Sequence, residues 1–227
     1  MTETKRGPLF LILFAALMAG AGNGISLVAF PWLVLQRNGS ALDASIVAMA
    51  GTLPLLAATL IAGAAVDYLG RRRVSMISDA LSALSVAAVP LLALTFGVHA
   101  INVAVLAGLA ALGAFFDPAG MTARETMLPE AATRAGWTLD HANSVYEAIF
   151  NLAYIVGPGI GGLLIATLGG VNTMWVTASA FGLSIVAIAV LRLEGAGKPD
   201  RTALPDGVWA GIMEGLRFVW NNKVLRT

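Results

Sequence analysis

Apolar stretches of about 20 residues or more recur along this chain, parted by short polar breaks. They fall near residues 9–36, 43–66, 74–97, 99–121, 144–168 and 171–191. At about 1.5 Å per helical residue, each can cross a hydrocarbon layer about 30 Å thick. The layer holds no water for backbone N–H and C=O groups, so a spanning segment must satisfy them as a helix or within a closed barrel. Barrel strands would show as alternating segments of about ten residues, whereas these runs are continuous. The expected fold is an all-α membrane protein of six transmembrane helices. The fourth start is the least marked, because only Gly97, Val98 and His99 separate it from the third run.

Composition narrows the function. Hydrophobic residues make up 58% and charged residues 12%, against about 25% charged in a soluble domain. Membrane lipid is therefore the expected solvent. A net charge of +1 gives no nucleic-acid footprint. Cysteine is absent, and His99 and His141 are far apart in sequence, so no metal or cofactor is expected. Lys5-Arg6 and the apolar residues after it open like a signal peptide, with Ala19-Gly20-Ala21 as a cleavage site. The apolar stretch continues to Leu35, too far for a signal sequence, so it reads as a retained first span.

Basic residues set the orientation. Lys5 and Arg6 precede the first run, Arg71, Arg72 and Arg73 follow the second, Arg124 and Arg134 follow the fourth, and the rest follow the sixth. Of the 14 Lys and Arg, Arg37 alone falls on the other side. The positive-inside rule then predicts a multi-pass protein of the cytoplasmic membrane with both termini in the cytoplasm. The six-helix bundle is expected to occupy residues 1–192. Residues 193–227 read as a cytoplasmic linker with an amphipathic helix, in which Trp209, Ile212, Leu216, Val219 and Trp220 fall at helical spacing.

Ordered glycines and charges follow the second run: Gly63, Asp67, Gly70, Arg71, Arg72 and Arg73. Glycine lets helices approach closely, and the Asp can pair with the arginines or a neighbouring helix N-terminus. In the fifth run, Gly157-Pro158-Gly159-Ile160-Gly161-Gly162 joins a proline, which removes a backbone donor, to glycines suited to close packing. Its Gly-x-Gly-x-x-Gly spacing is no dinucleotide site, because that needs a strand-to-helix turn.

Both segments resemble the major facilitator superfamily of transporters. The first is similar to its motif A, with Tyr68 where the family has arginine and Ala65 where it has leucine. The resemblance implies a conformational latch between two halves. The second is similar to motif C, typical of the exporters, with Ala153 and Ser144 in place of two upstream glycines. Pro118-Ala119, Leu128-Pro129 and Ala142-Asn143 resemble a cytoplasmic loop of the macrolide-efflux and enterobactin-exporter branch. No arginine precedes Asp117 in the fourth run, so the motif B arginine of many drug–proton antiporters is absent.

The resemblance covers almost the whole chain and implies the N-terminal six-helix half of a twelve-span exporter. It implies efflux of small amphiphilic molecules by proton antiport and alternating access, with a C-terminal half or a second copy needed for transport. In such a half, spans one, four and five line the central cavity. Asn23, Asn151 and Tyr154 are then expected to line it. Residues Ser144, Glu147, Asn151, Tyr154 and Pro158 share one helical face, which should not meet lipid.

Three acids, Asp79, Asp117 and Glu147, lie within the runs near the Arg-bearing side. Either they belong, with Asp67, Arg71–Arg73 and Arg124 at the same depth, to an ion-pair network that holds a gate, or one of them carries the coupling proton. Their distance from the midplane favours the gate. Gly195-Ala196-Gly197-Lys198 is no phosphate loop, because Arg192 and Pro199 break the pattern. No nucleophile–base set appears, so an enzyme is not expected. A membrane scaffold or signalling subunit remains the other reading.

Overall fold

The computed structural model describes residues 5–193 of the chain. The linker helix expected from Asp206 lies outside these residues. Among the described residues there is no strand. The helices are α1 (Gly7–Asn38), α2 (Ala41–Ala50), α3 (Leu53–Leu69), α4 (Arg71–Phe96), α5 (Val103–Ala135), α6 (Leu139–Leu168) and α7 (Gly170–Val190). A 3-10 turn, Val98–Ala100, joins α4 to α5. With α2 and α3 taken together, six segments among the described residues are long and apolar enough to cross a membrane.

Two expectations change. The second run is not one helix: it breaks at Gly51-Thr52, just before Pro54. Pro54 has no N–H to offer Ala50, and the residue ahead of a proline is steered away from helical geometry. The amide of Leu55 turns instead to the Thr52 carbonyl, at 3.2 Å. The fourth run does not end at residue 121 either, because α5 continues to Ala135. Its far half buries Ala123, Met127, Leu128, Ala131, Ala132 and Ala135, so a repeating apolar face carries the helix past Pro129. Gly136, at φ +72°, then stops it. The loop expected across residues 122–143 is reduced to Gly136–Thr138, and the hydroxyl of Thr138 caps α6 by accepting from the His141 amide.

The junction of α3 and α4 is a single residue. Gly70 has φ +88° and serves as cap to both helices, with its amide donating to the Val66 carbonyl at 2.9 Å. A side chain at that φ would be strained, which is why glycine stands there.

The core has two large apolar regions and a small third one of Val66, Val74 and Ala123. At the end bearing Arg71–Arg73, Leu9, Ile12 and Leu13 of α1 pack with Met127, Leu128, Tyr146 and Ile188. At the other end, Phe30 and Leu33 pack with Val47, Val89, Leu106, Met174 and Phe181. α1 lies against α6 and α7, α4 against α5 and α7, and α3 along α5. The α1–α6 crossing is nearly backbone to backbone. A Cβ on Gly24 would stand 2.6 Å from the Tyr154 carbonyl oxygen, and one on Gly157 2.7 Å from Gly24 Cα. Small residues permit this approach, and dispersion contacts between the helices replace a hydrophobic driving force that lipid does not supply.

Candidate functional site

A cavity of about 400 Å³ opens between α1, α2, α3, α4, α5, α6 and α7. Its wall is mostly apolar, with Leu27, Phe30, Val86, Phe150 and Phe181, and the break at Gly51 lies on it. Polar groups enter at chosen points: Asn23 and Ser26 from α1, Thr59 from α3, Ser82 and Ser85 from α4, Asp117 and Arg124 from α5, and Tyr154 from α6. Of the expected cavity residues, Asn23 and Tyr154 therefore lie on this wall, while Asn151 is not among the lining groups. Asn151 is exposed on α6 and donates to the Glu147 side chain at 3.1 Å and to the Glu147 carbonyl at 2.9 Å.

A polar seam between α4 and α5 reaches the cavity at Ser82, Ser85, Gly113, Asp117 and Arg124. Ser75, Ser78, Ser82 and Ser85 recur on the buried face of α4 at helical spacing. Gly113, Asp117, Gly120 and Arg124 do the same on α5. A Cβ on Gly120 would stand 2.5 Å from Ser78 Oγ, and one on Gly113 2.9 Å from Ser85 Oγ. Ser78 Oγ donates to the Phe116 carbonyl at 2.6 Å, and Ser82 Oγ donates to Asp117 Oδ1 at 2.8 Å. The serine column was not singled out from sequence, although its three- and four-residue spacing was visible there.

Within the seam, Arg124 Nη1 donates to both oxygens of Asp79, at 2.9 and 3.0 Å. Ser184 of α7 donates to Asp79 Oδ2 at 2.6 Å. Asp79 and Arg124 are each 2% exposed, so this pair ties α4, α5 and α7 together in a low-dielectric setting. Tyr146 of α6 is fully buried beside the guanidinium. The Arg124 Nε, the Tyr146 hydroxyl and the Ser26 hydroxyl make no hydrogen bond to a described residue.

The expected ion-pair network is smaller than the sequence suggested. Among the described residues the ion pairs are Arg124–Asp79 and Arg134–Glu130. Asp67 is exposed and pairs with none of Arg71, Arg72 and Arg73. Instead, Arg72 donates to the Ala189 carbonyl near the C-terminal end of α7, where a cation suits the open carbonyls and the negative end of the helix dipole. Gly63 meets open space, as does Gly162, whereas Gly157 and Gly161 face α1. Pro158 is half-buried within α6. At the opposite end, Arg37 donates to the carbonyls of Val98, His99 and Ile101, fixing the α4–α5 turn to the end of α1.

Comparison with known proteins adds a family and relatives. A family model described as Major Facilitator Superfamily matches residues 12–226. The multidrug efflux pump Tap of Mycolicibacterium fortuitum is 85% identical over all 227 residues, which cover 56% of that relative. Its counterpart in Mycobacterium tuberculosis (strain ATCC 25618 / H37Rv) is 70% identical over 227 residues, 54% of its length. The staphyloferrin A transporter of Staphylococcus aureus is 26% identical over 165 residues, 73% of this chain and 41% of that protein. The chain thus spans about half the length of the pumps it most resembles among these.

Proposed function

Because the chain belongs to the Major Facilitator Superfamily, we propose that it forms the N-terminal half of a secondary active exporter, one that expels small amphiphilic molecules in exchange for protons. The observation that carries this reading is the cavity: an apolar wall with a few polar groups, the chemistry that suits an amphiphile. The relatives of about twice the length are multidrug efflux pumps, which supports drug-like substrates.

In this reading both chain ends face the cytoplasm, and Lys5, Arg6, Arg71–Arg73 and Arg134 follow the positive-inside rule. Substrate binds between this half and a second, and the halves rock around it in alternating access. The second half covers the least buried segments. In the most apolar windows of Ala41–Leu69 and Leu139–Leu168, 17% of residues are buried. The exposed Glu147 and Asn151 on α6 meet that partner rather than lipid. Asp67, exposed beside the Gly70 joint, is the latch residue that meets the partner when the cytoplasmic side closes. Gly157 and Gly161 hold α6 tightly on α1, so the two move as one wall of the cavity.

The test is dye accumulation in cells producing the full-length protein. Ethidium is expected to accumulate less than in cells without the transporter, and a protonophore is expected to remove the difference. Accumulation equal to the control overturns the export reading. Export that survives the protonophore overturns proton exchange.

A further inference from the structure

Resting on that proton-exchange reading, we propose that Asp117 carries the exchanged proton and that Ser82 positions its carboxylate. The three acids within the spans differ sharply in their surroundings. Asp79 is locked: it is 2% exposed, both oxygens face Arg124, and Ser184 donates to one of them. Glu147 lies on the exposed face of α6, engaged with Asn151 and away from the cavity wall. Asp117 lines the cavity, is partly accessible, and forms an ion pair with no cation among the described residues. Its Oδ1 accepts from Ser82, and its Oδ2 makes no hydrogen bond to a described residue.

Charge balance points the same way. Asp117 and Arg124 are the charged groups on the cavity wall, and Arg124 is already committed to Asp79. The charged groups acting on Asp117 are Asp79 from α4 and Arg124 from its own helix. Within the same cavity α1 offers Asn23 and Ser26, α3 offers Thr59, α6 offers Tyr154 and α7 offers Phe181, none of them charged at neutral pH. One cation thus serves two carboxylates, and an uncompensated charge in this setting is costly. Protonation removes the cost. With the cavity open outward, water delivers a proton and an O–H bond forms at Asp117 Oδ2. With the cavity open inward, that bond breaks and the proton leaves to cytoplasmic water. The ionised form places a second carboxylate near Arg124, so the proton sets how strongly the arginine is held to α4 and α7.

The test uses inside-out membrane vesicles containing the full-length transporter, with ethidium as probe and an interior-acid gradient. Wild-type vesicles are expected to accumulate ethidium until a protonophore is added. Asp117→Asn is expected to lose gradient-driven accumulation while retaining ethidium counterflow without a gradient. Ser82→Ala is expected to keep transport but to move the midpoint of its pH profile upward by about one unit, because the lost hydroxyl favoured the ionised carboxylate. Gradient-driven accumulation by Asp117→Asn overturns the assignment, and so does an unmoved midpoint in Ser82→Ala. The second result decides if Asp117→Asn fails to reach the membrane. If wild-type accumulation ignores the protonophore, the proton-exchange reading and this assignment fall together.

Discussion

Arg124 is the largest of the fully buried side chains, and Asp79 is the carboxylate it answers to. Removing one member of a buried pair leaves the other charge without compensation, a loss of about 3–5 kcal/mol. Asp79→Ala is therefore expected to lower the melting temperature in detergent steeply. Replacing both partners with apolar residues costs far less, so Asp79→Ala with Arg124→Met is expected to melt well above the single variant. Equal melting of the two would show that the pair does not hold α4 to α5. The sequence revealed the acids and put Arg124 at their depth, but did not show which of them it holds. Arg124 read as a loop residue because the apolar run fades after residue 121 and charged residues follow. What extends the helix is the alanine-rich face from Ala123 to Ala135, and small side chains give a weak hydropathy signal. Asp67 is the opposite case: its motif was legible, yet it forms an ion pair with none of the arginines beside it, and Arg72 reaches the end of α7.

At the level of helices, the α1–α6 crossing depends on missing side chains. Gly24→Val places branched carbon where a Cβ already falls 2.6 Å from the Tyr154 carbonyl oxygen, so the helices must part. The yield of monodisperse protein after detergent extraction is expected to drop sharply. Gly162→Ala points into open space and is expected to leave the yield unchanged. Loss with both variants would show that glycine content, not the crossing, matters. The glycine run in α6 was legible as a packing surface. Its partner, Gly20-x-x-x-Gly24 in α1, carried the same small-residue spacing and passed unnoticed within a longer apolar run. The break between α2 and α3 was also announced, by Gly51 and Pro54, but overall hydropathy bridges it.

Across the whole molecule, the six-span pattern was legible because lipid leaves so few solutions for a long apolar chain. The cavity was legible only in part: Asn23 and Tyr154 were expected on it, but its wall also draws on α2, α3 and α7 and depends on how the helices cross. Residues 1–227 contain no cysteine, so a cysteine placed among them can report their orientation. Single cysteines at Asp67 and Thr133 are expected to react with a membrane-impermeant maleimide only after cells are opened. Cysteines at Asn38 and Ser40 are expected to react in intact cells. Labelling of Asp67 and Thr133 from opposite faces would overturn the topology. The one-residue joint at Gly70 has its own consequence. With no slack between α3 and α4, a tilt of one lever is passed to the other about a single Cα. Lengthening that joint by even one residue would let the levers swing independently, and motion at the exposed end of α3 would no longer reach the Asp79 pin.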